Sequence, residues 1–168
     1  AQTLASLAAG SGGITADGLV QVTAGADNDV TAVLDTAAGG LIRGDVAEST
    51  ARIHSATTGI VTGAVLKSSG LTVAADSANT VRADFASVGV SLVGVAGVDA
   101  DARIFEQAAT RALFGNGELN SSGPVTVRAT ADNDATLVTD TVVVGIVGVS
   151  TASEPAARID AATTAIFD

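Results

Sequence analysis

The chain contains no cysteine, methionine, tryptophan or tyrosine, and its 168 residues include only four phenylalanines, two prolines and one histidine. Without cysteine there is no disulfide scaffold, no thiol nucleophile and no thiolate metal ligand. With His54 as the sole imidazole, a zinc centre lacks ligands and a Ser/His/acid triad has a single candidate base. Aromatic rings normally fill irregular core space. Here 47% of residues are hydrophobic but only 2% aromatic, so the interior must be built from Ala, Val, Leu and Ile, which suits a narrow core of repeated layers. The missing methionine leaves no initiator, so the chain reads as a processed product or an excised stretch of a longer one. Basic residues are few as well: 8 Lys plus Arg against 18 Asp plus Glu give a net charge of −10. That balance offers no face for nucleic acid or anionic lipid, and it attracts divalent cations. The opening Ala1 to Ala9 lacks the basic end of a signal peptide. The longest apolar run, Val142 to Val149, is too short to span a bilayer.

What the chain does have is repetition. An acid-x-x-Ala-Arg-Ile pattern runs from Glu48 to Arg52, from Asp99 to Arg103 and from Glu154 to Arg158. The Arg markers are 51 and 55 residues apart. A second marker, a glycine opening an apolar/polar alternation, places Val22, Val73 and Val127 at offsets of 51 and 54. Two independent markers with nearly one period define an array, and approximate repeats 12–62, 63–114 and 115–168 follow. Apolar and polar residues alternate with period two in Val20 to Ala24, Thr80 to Phe85 and Val125 to Ala131, which predicts strands. Clusters such as Gly39-Gly40, Lys67 to Gly70, Gly115-Asn116-Gly117 and Asn120 to Gly123 predict turns. Phe105 to Phe114 is the one stretch that could read as a short helix; its counterparts, His54 to Val61 and Asp160 to Phe167, read as turn and strand. The expected fold is all-β, a β-solenoid of about three repeats of about 52 residues, each making about two coils or three tighter ones. A β-sandwich and a closed barrel are the alternatives.

Four features are candidates for function. Asp27-Asn28-Asp29 and Asp132-Asn133-Asp134 occupy equivalent places, with Asp76 to Asn79 between them. At a turn, the carboxylates of Asp27, Asp29, Asp132 and Asp134 could offer oxygens to Ca²⁺, or simply stabilise the turn. No cofactor is otherwise required, and Ca²⁺ is the one metal candidate. The ladder Glu48/Arg52, Asp99/Arg103, Glu154/Arg158 reads as surface charge that sets register. Val142, Val144, Ile146 and Val149 lie in a strand apolar on both faces, as does Val88 to Gly97. Such a strand is either covered within the fold or an association surface. Its first-repeat counterpart is interrupted by Arg43 and Asp45. His54 aligns with Phe105 and Asp160, which disfavours a catalytic base and makes a surface histidine the simpler reading.

Gly123 to Ala129, Gly145 to Val149 and Thr163-Thr164-Ala165-Ile166 resemble the degenerate repeats of large bacterial secreted and surface adhesins, the filamentous-haemagglutinin-like and autotransporter-type shafts. The resemblance spans nearly the whole chain at the level of composition and repeat, and it carries no functional residue across. It implies a right-handed parallel β-helix, an extracellular or cell-surface location and a structural role in attachment, biofilm matrix or filament formation. The expected partners are further windings of the same solenoid or other copies, with a glycan or a host or matrix surface as a further option. A carbohydrate- or ice-binding module is the alternative, and a β-helical polysaccharide-cleaving enzyme a more distant one. The main expectation is therefore a non-enzymatic chain.

Overall fold

The computed structural model describes residues 1–10, 13–63, 66–145, 147–152 and 155–168. Among them only strands, bends and turns occur: β1 (Gln2–Ala8), β2 (Ile14–Thr15), β3 (Leu19–Ile53), β4 (Ala56–Thr62), β5 (Leu66–Ser68), β6 (Gly70–Ile104), β7 (Thr110–Gly115), β8 (Leu119–Ser121), β9 (Val125–Val144), β10 (Val147–Ala152), β11 (Ala156–Ile159) and β12 (Thr163–Phe167). Val, Ile, Thr and Ala in period-two alternation drive this outcome, because their branched or small side chains pack well on a pleated surface. The one stretch that could read as a short helix does not form one. Phe105 to Ala109 form a turn, closed by Ala108 N–H donating to the Phe105 carbonyl, and Thr110 onward is β7.

Every strand pairing is parallel and joins residues 51 to 55 positions apart. One sheet has the order β1-β4-β7-β12 and a second β2-β5-β8; in the third, β6 lies between β3 on one side and β9, β10 and β11 on the other. Each strand is thus paired to its counterpart one full repeat away. Among the described residues no two strands of one repeat pair with each other, which speaks against two or three coils stacked within each repeat. The all-β, parallel architecture is compatible with a β-solenoid. Within each pairing the offset is constant, and it changes only between strands. Gly39-Gly40, expected as a turn, lies inside β3. Gly115-Asn116-Gly117 does turn, with Asn116 in the left-handed region at φ 56°.

β6 cannot be straight over its 35 residues. Val81 and Ala83 from its first leg pack against Ala102 and Ile104 from its second, so the chain doubles back over the intervening rim. A second cluster sets Val22, Leu71, Val73 and Ala75 against Val61, Ala112 and Phe114 of the first sheet. A third joins Phe85 and Ala100, with Leu34 and Ala47 against them. The interior is therefore shallow and small-residue, as the shortage of aromatics demands. Sheets approach closely at Gly59, where a Cβ would sit 2.6 Å from the Ala74 carbonyl oxygen. Leu71, Val73, Ala75, Val81 and Ala83 of the middle layer are fully buried, because they have a layer on either side.

Candidate functional site

The polar residues separate into an inner and an outer ladder. Asn28, Asn79 and Asn133 are register partners, and the strand alternation turns them inward. Asn28 Nδ2 donates to Asn79 Oδ1 at 2.8 Å, and Asn79 Nδ2 donates to Asn133 Oδ1 at 2.7 Å. Asn79 is only 1% exposed. A buried amide keeps its stability cost low only when its donors and acceptors are matched, and one amide per layer achieves that along the stacking direction. Beside it, the hydroxyls of Ser77 and Thr110 lie 2.6 Å apart. The signal for this ladder in the sequence is that its members recur at the same offsets as Val22, Val73 and Val127.

Those acids, Asp27, Asp29, Asp132 and Asp134, lie within β3 and β9 and not at turns, which corrects the expected setting. All four are exposed. Asp27 and Asp132 are both partners of Ala78, and Asp29 and Asp134 both partners of Thr80, so the two pairs are separated by an intervening strand. Among the described residues no group of three or more His, Asp or Glu side chains is placed to hold a metal ion.

On the outside, Arg52 pairs in register with Arg103, and Arg103 with Arg158. Like charges stacked at strand spacing would repel, and the acids that offset them differ from the expected ones. Arg52 forms a two-nitrogen contact with Asp101 at 3.0 and 3.1 Å, and Arg103 does the same with Asp160 at 2.5 and 2.9 Å. Arg158 approaches Asp160 at 3.3 Å. Glu48 instead accepts from Thr50, and it stacks with Asp99 as a register partner. Glu154 falls outside the described residues. Diagonal contacts of this kind link neighbouring strands.

His54, Phe105 and Asp160 meet at one corner. The His54 and Phe105 rings stack with centroids 4.0 Å apart, and the Arg103 guanidinium lies 4.3 Å from the Phe105 centroid. Two groups that close to one centroid must cover opposite faces, so the ring offers no platform to a sugar. Beside it an open cleft of about 480 Å³ is lined by Arg103, Phe105, Glu106, Gln107, Arg158 and Asp160.

The apolar strand is not an interior one. Val142 is 46% exposed and Val144 58%, as are Val88 and Val90 to similar degrees. Burial in the core is thereby corrected for Val142 and Val144. Val149 belongs to β10, and Ile146 lies outside the described residues. The chain matches no protein-family model, no curated protein and no solved structure.

Proposed function

We propose that the chain is a segment of a parallel β-solenoid in which each repeat makes one winding, and that it serves as a non-enzymatic shaft secreted by, or displayed on, a bacterial cell. The observation that carries this reading is the register: Arg on Arg, Asn on Asn and Ile on Ile, with long strands that never slip within a pairing. In such an arrangement the function is length and stiffness. Strand spacing sets the rise at about 4.8 Å per winding, so ten windings would span only about 5 nm. An extended fibre of this type therefore needs many repeats in one chain or association between chains. Continuation of the same solenoid and self-association are accordingly its partners in this reading.

Electron microscopy of the native material, with fibre diffraction on aligned samples, tests the proposal. Elongated particles with a reflection near 4.8 Å along their axis are expected. Compact isolated particles without that reflection defeat it. A carbohydrate-binding role is the second reading, favoured by the mixed Arg, Gln and acid lining of the corner cleft. Glycan-array binding abolished by Arg158→Ala would promote it. Calcium binding by the aspartates is a proposal of its own; a melting temperature unmoved by EDTA removes it.

A further inference from the structure

The outward face of the β3/β6/β9 sheet, near its rim, carries a stripe of side chains that no other part of the described molecule covers. Register partners run Ala37, Val88, Val142 in one row and Gly39, Val90, Val144 in the next. Val88, Val90, Val142 and Val144 are 46 to 58% exposed, and Leu41 and Leu92 extend the stripe at 73% and 47%. No charged residue occurs from Phe85 to Val98 or from Thr141 to Ala152. The stripe itself is uncharged, but the exposed row before it holds Asp35 and Asp140 on either side of Ala86. On a chain of net charge −10, two copies that share the stripe therefore bring acids together at its edge, and added salt should tighten the contact.

The rows are also uneven in a useful way. In these two rows the middle and last layers present valines, whereas the first presents Ala37 and Gly39, a hollow beside two ridges that the exposed Leu41 closes one row on. A two-fold axis running along β6 reverses the order of layers and keeps the position along the strand. It sets the partner's Val142 over Ala37 and the partner's Val144 over Gly39, while Val88 and Val90 meet their own copies. Both faces share one strand spacing, so ridges and hollows coincide at every layer. An unrelated surface would not repeat at that spacing. We propose that this stripe is a self-complementary lateral interface between two copies of the chain, built on the middle-layer residue Val90. It rests on the registers of β3, β6 and β9 and not on the fibre role, and it differs from end-to-end growth. The patch is on the scale of a few hundred Å², smaller than the roughly 800 Å² per partner of a standard stable complex. The dimer should therefore be weak and dependent on concentration.

Analytical ultracentrifugation over a dilution series, with small-angle scattering for shape, tests this on the intact chain. The expected species is a dimer that is thicker but not longer than the monomer. Val90→Glu should weaken it by about tenfold or more, because a charge would be buried at the axis, and Gly39→Val should weaken it by filling the hollow. Val33→Glu, on an exposed residue away from the stripe, should leave it intact, and circular dichroism should show every variant folded. Because the chain has no native cysteine, Val90→Cys should give a disulfide-linked dimer under mild oxidation far faster than Val33→Cys. A monomer at all concentrations overturns the proposal. So does a dimer indifferent to Val90→Glu, one that doubles in length, or equal cross-linking at 33 and 90. End-to-end association that survives Val90→Glu would leave the fibre reading standing while this one falls.

Discussion

The asparagine ladder and the arginine ladder run the same course through the three layers, one inside and one outside. Both repeat a polar side chain at one register position, yet they solve opposite problems. Inside, Asn79 is shut off from solvent, so the amides must supply both the donor and the acceptor their neighbours need; Asn79 does so with two bonds of 2.7 and 2.8 Å. Outside, water screens the guanidinium groups, and Arg103 needs only a nearby carboxylate, half-shielded at Asp160. Identity is thus demanding at the inner position and permissive at the outer one. The outer partners bear this out, since the acid stacked on Thr50 serves Arg52 whereas the corner acid Asp160 serves Arg103.

The contrast can be broken most forcefully at its inner centre. Asn79→Ala leaves a donor on Asn28 and an acceptor on Asn133 without partners, at an expected loss of about 2–4 kcal/mol, read by urea unfolding. If Asn79→Ala unfolds like the unaltered chain, the ladder is incidental. Asn133→Ala removes one of those bonds at a half-buried position, with about half that loss expected. A third test compares two inner threonines in register, Thr57 and Thr110. Thr110 meets the Ser77 hydroxyl, but Ser77 has Ala26 as its partner in the first layer, and the buried Thr57 Oγ1 has no partner. Thr57→Val should therefore stabilise by about 1 kcal/mol and Thr110→Val should destabilise; like signs in thermal melts would refute that account. On the outer ladder, Arg103→Ala should cost only about 0.5–1 kcal/mol. The smallest expected effect is that 0.5 M salt erodes the Arg103 contribution and leaves the Asn79 contribution unchanged, as a double comparison of melting curves would show.

Much of this was legible in the sequence because a repeat of nearly equal length converts position into contact. The offsets between Arg52, Arg103 and Arg158 forecast the stack directly. What the offsets could not reveal was which way a side chain turns within the layer. Asp27 and Asp29 looked like turn residues because Asp and Asn usually break strands, but in β3 the alternation points them outward and Asn28 inward. The acids of the repeated motif looked like partners for its arginines by proximity in the chain, whereas strand pairing brings Asp101 and Asp160 closer. Val142 and Val144 looked interior because both faces of their strand are apolar. Burial depends on what lies opposite, and at the rim nothing in the described fold does. The Phe105 to Phe114 segment, which could read as a short helix, is a turn up to Ala109, and from Thr110 the parallel partners β4 and β12 hold it extended.

One detail of the registers bears on how such a chain can change over time. The corner between Ile104 and Thr110 holds two more residues than its counterparts after Ile53 and Ile159, and the strands on both sides keep their pairing. Glu106 and Gln107 at that corner are exposed. Additional sequence entering there would project beside the scaffold without disturbing the hydrogen-bond ladders. That corner is therefore the place where a peptide epitope, or a new recognition loop, could be grafted at least structural cost.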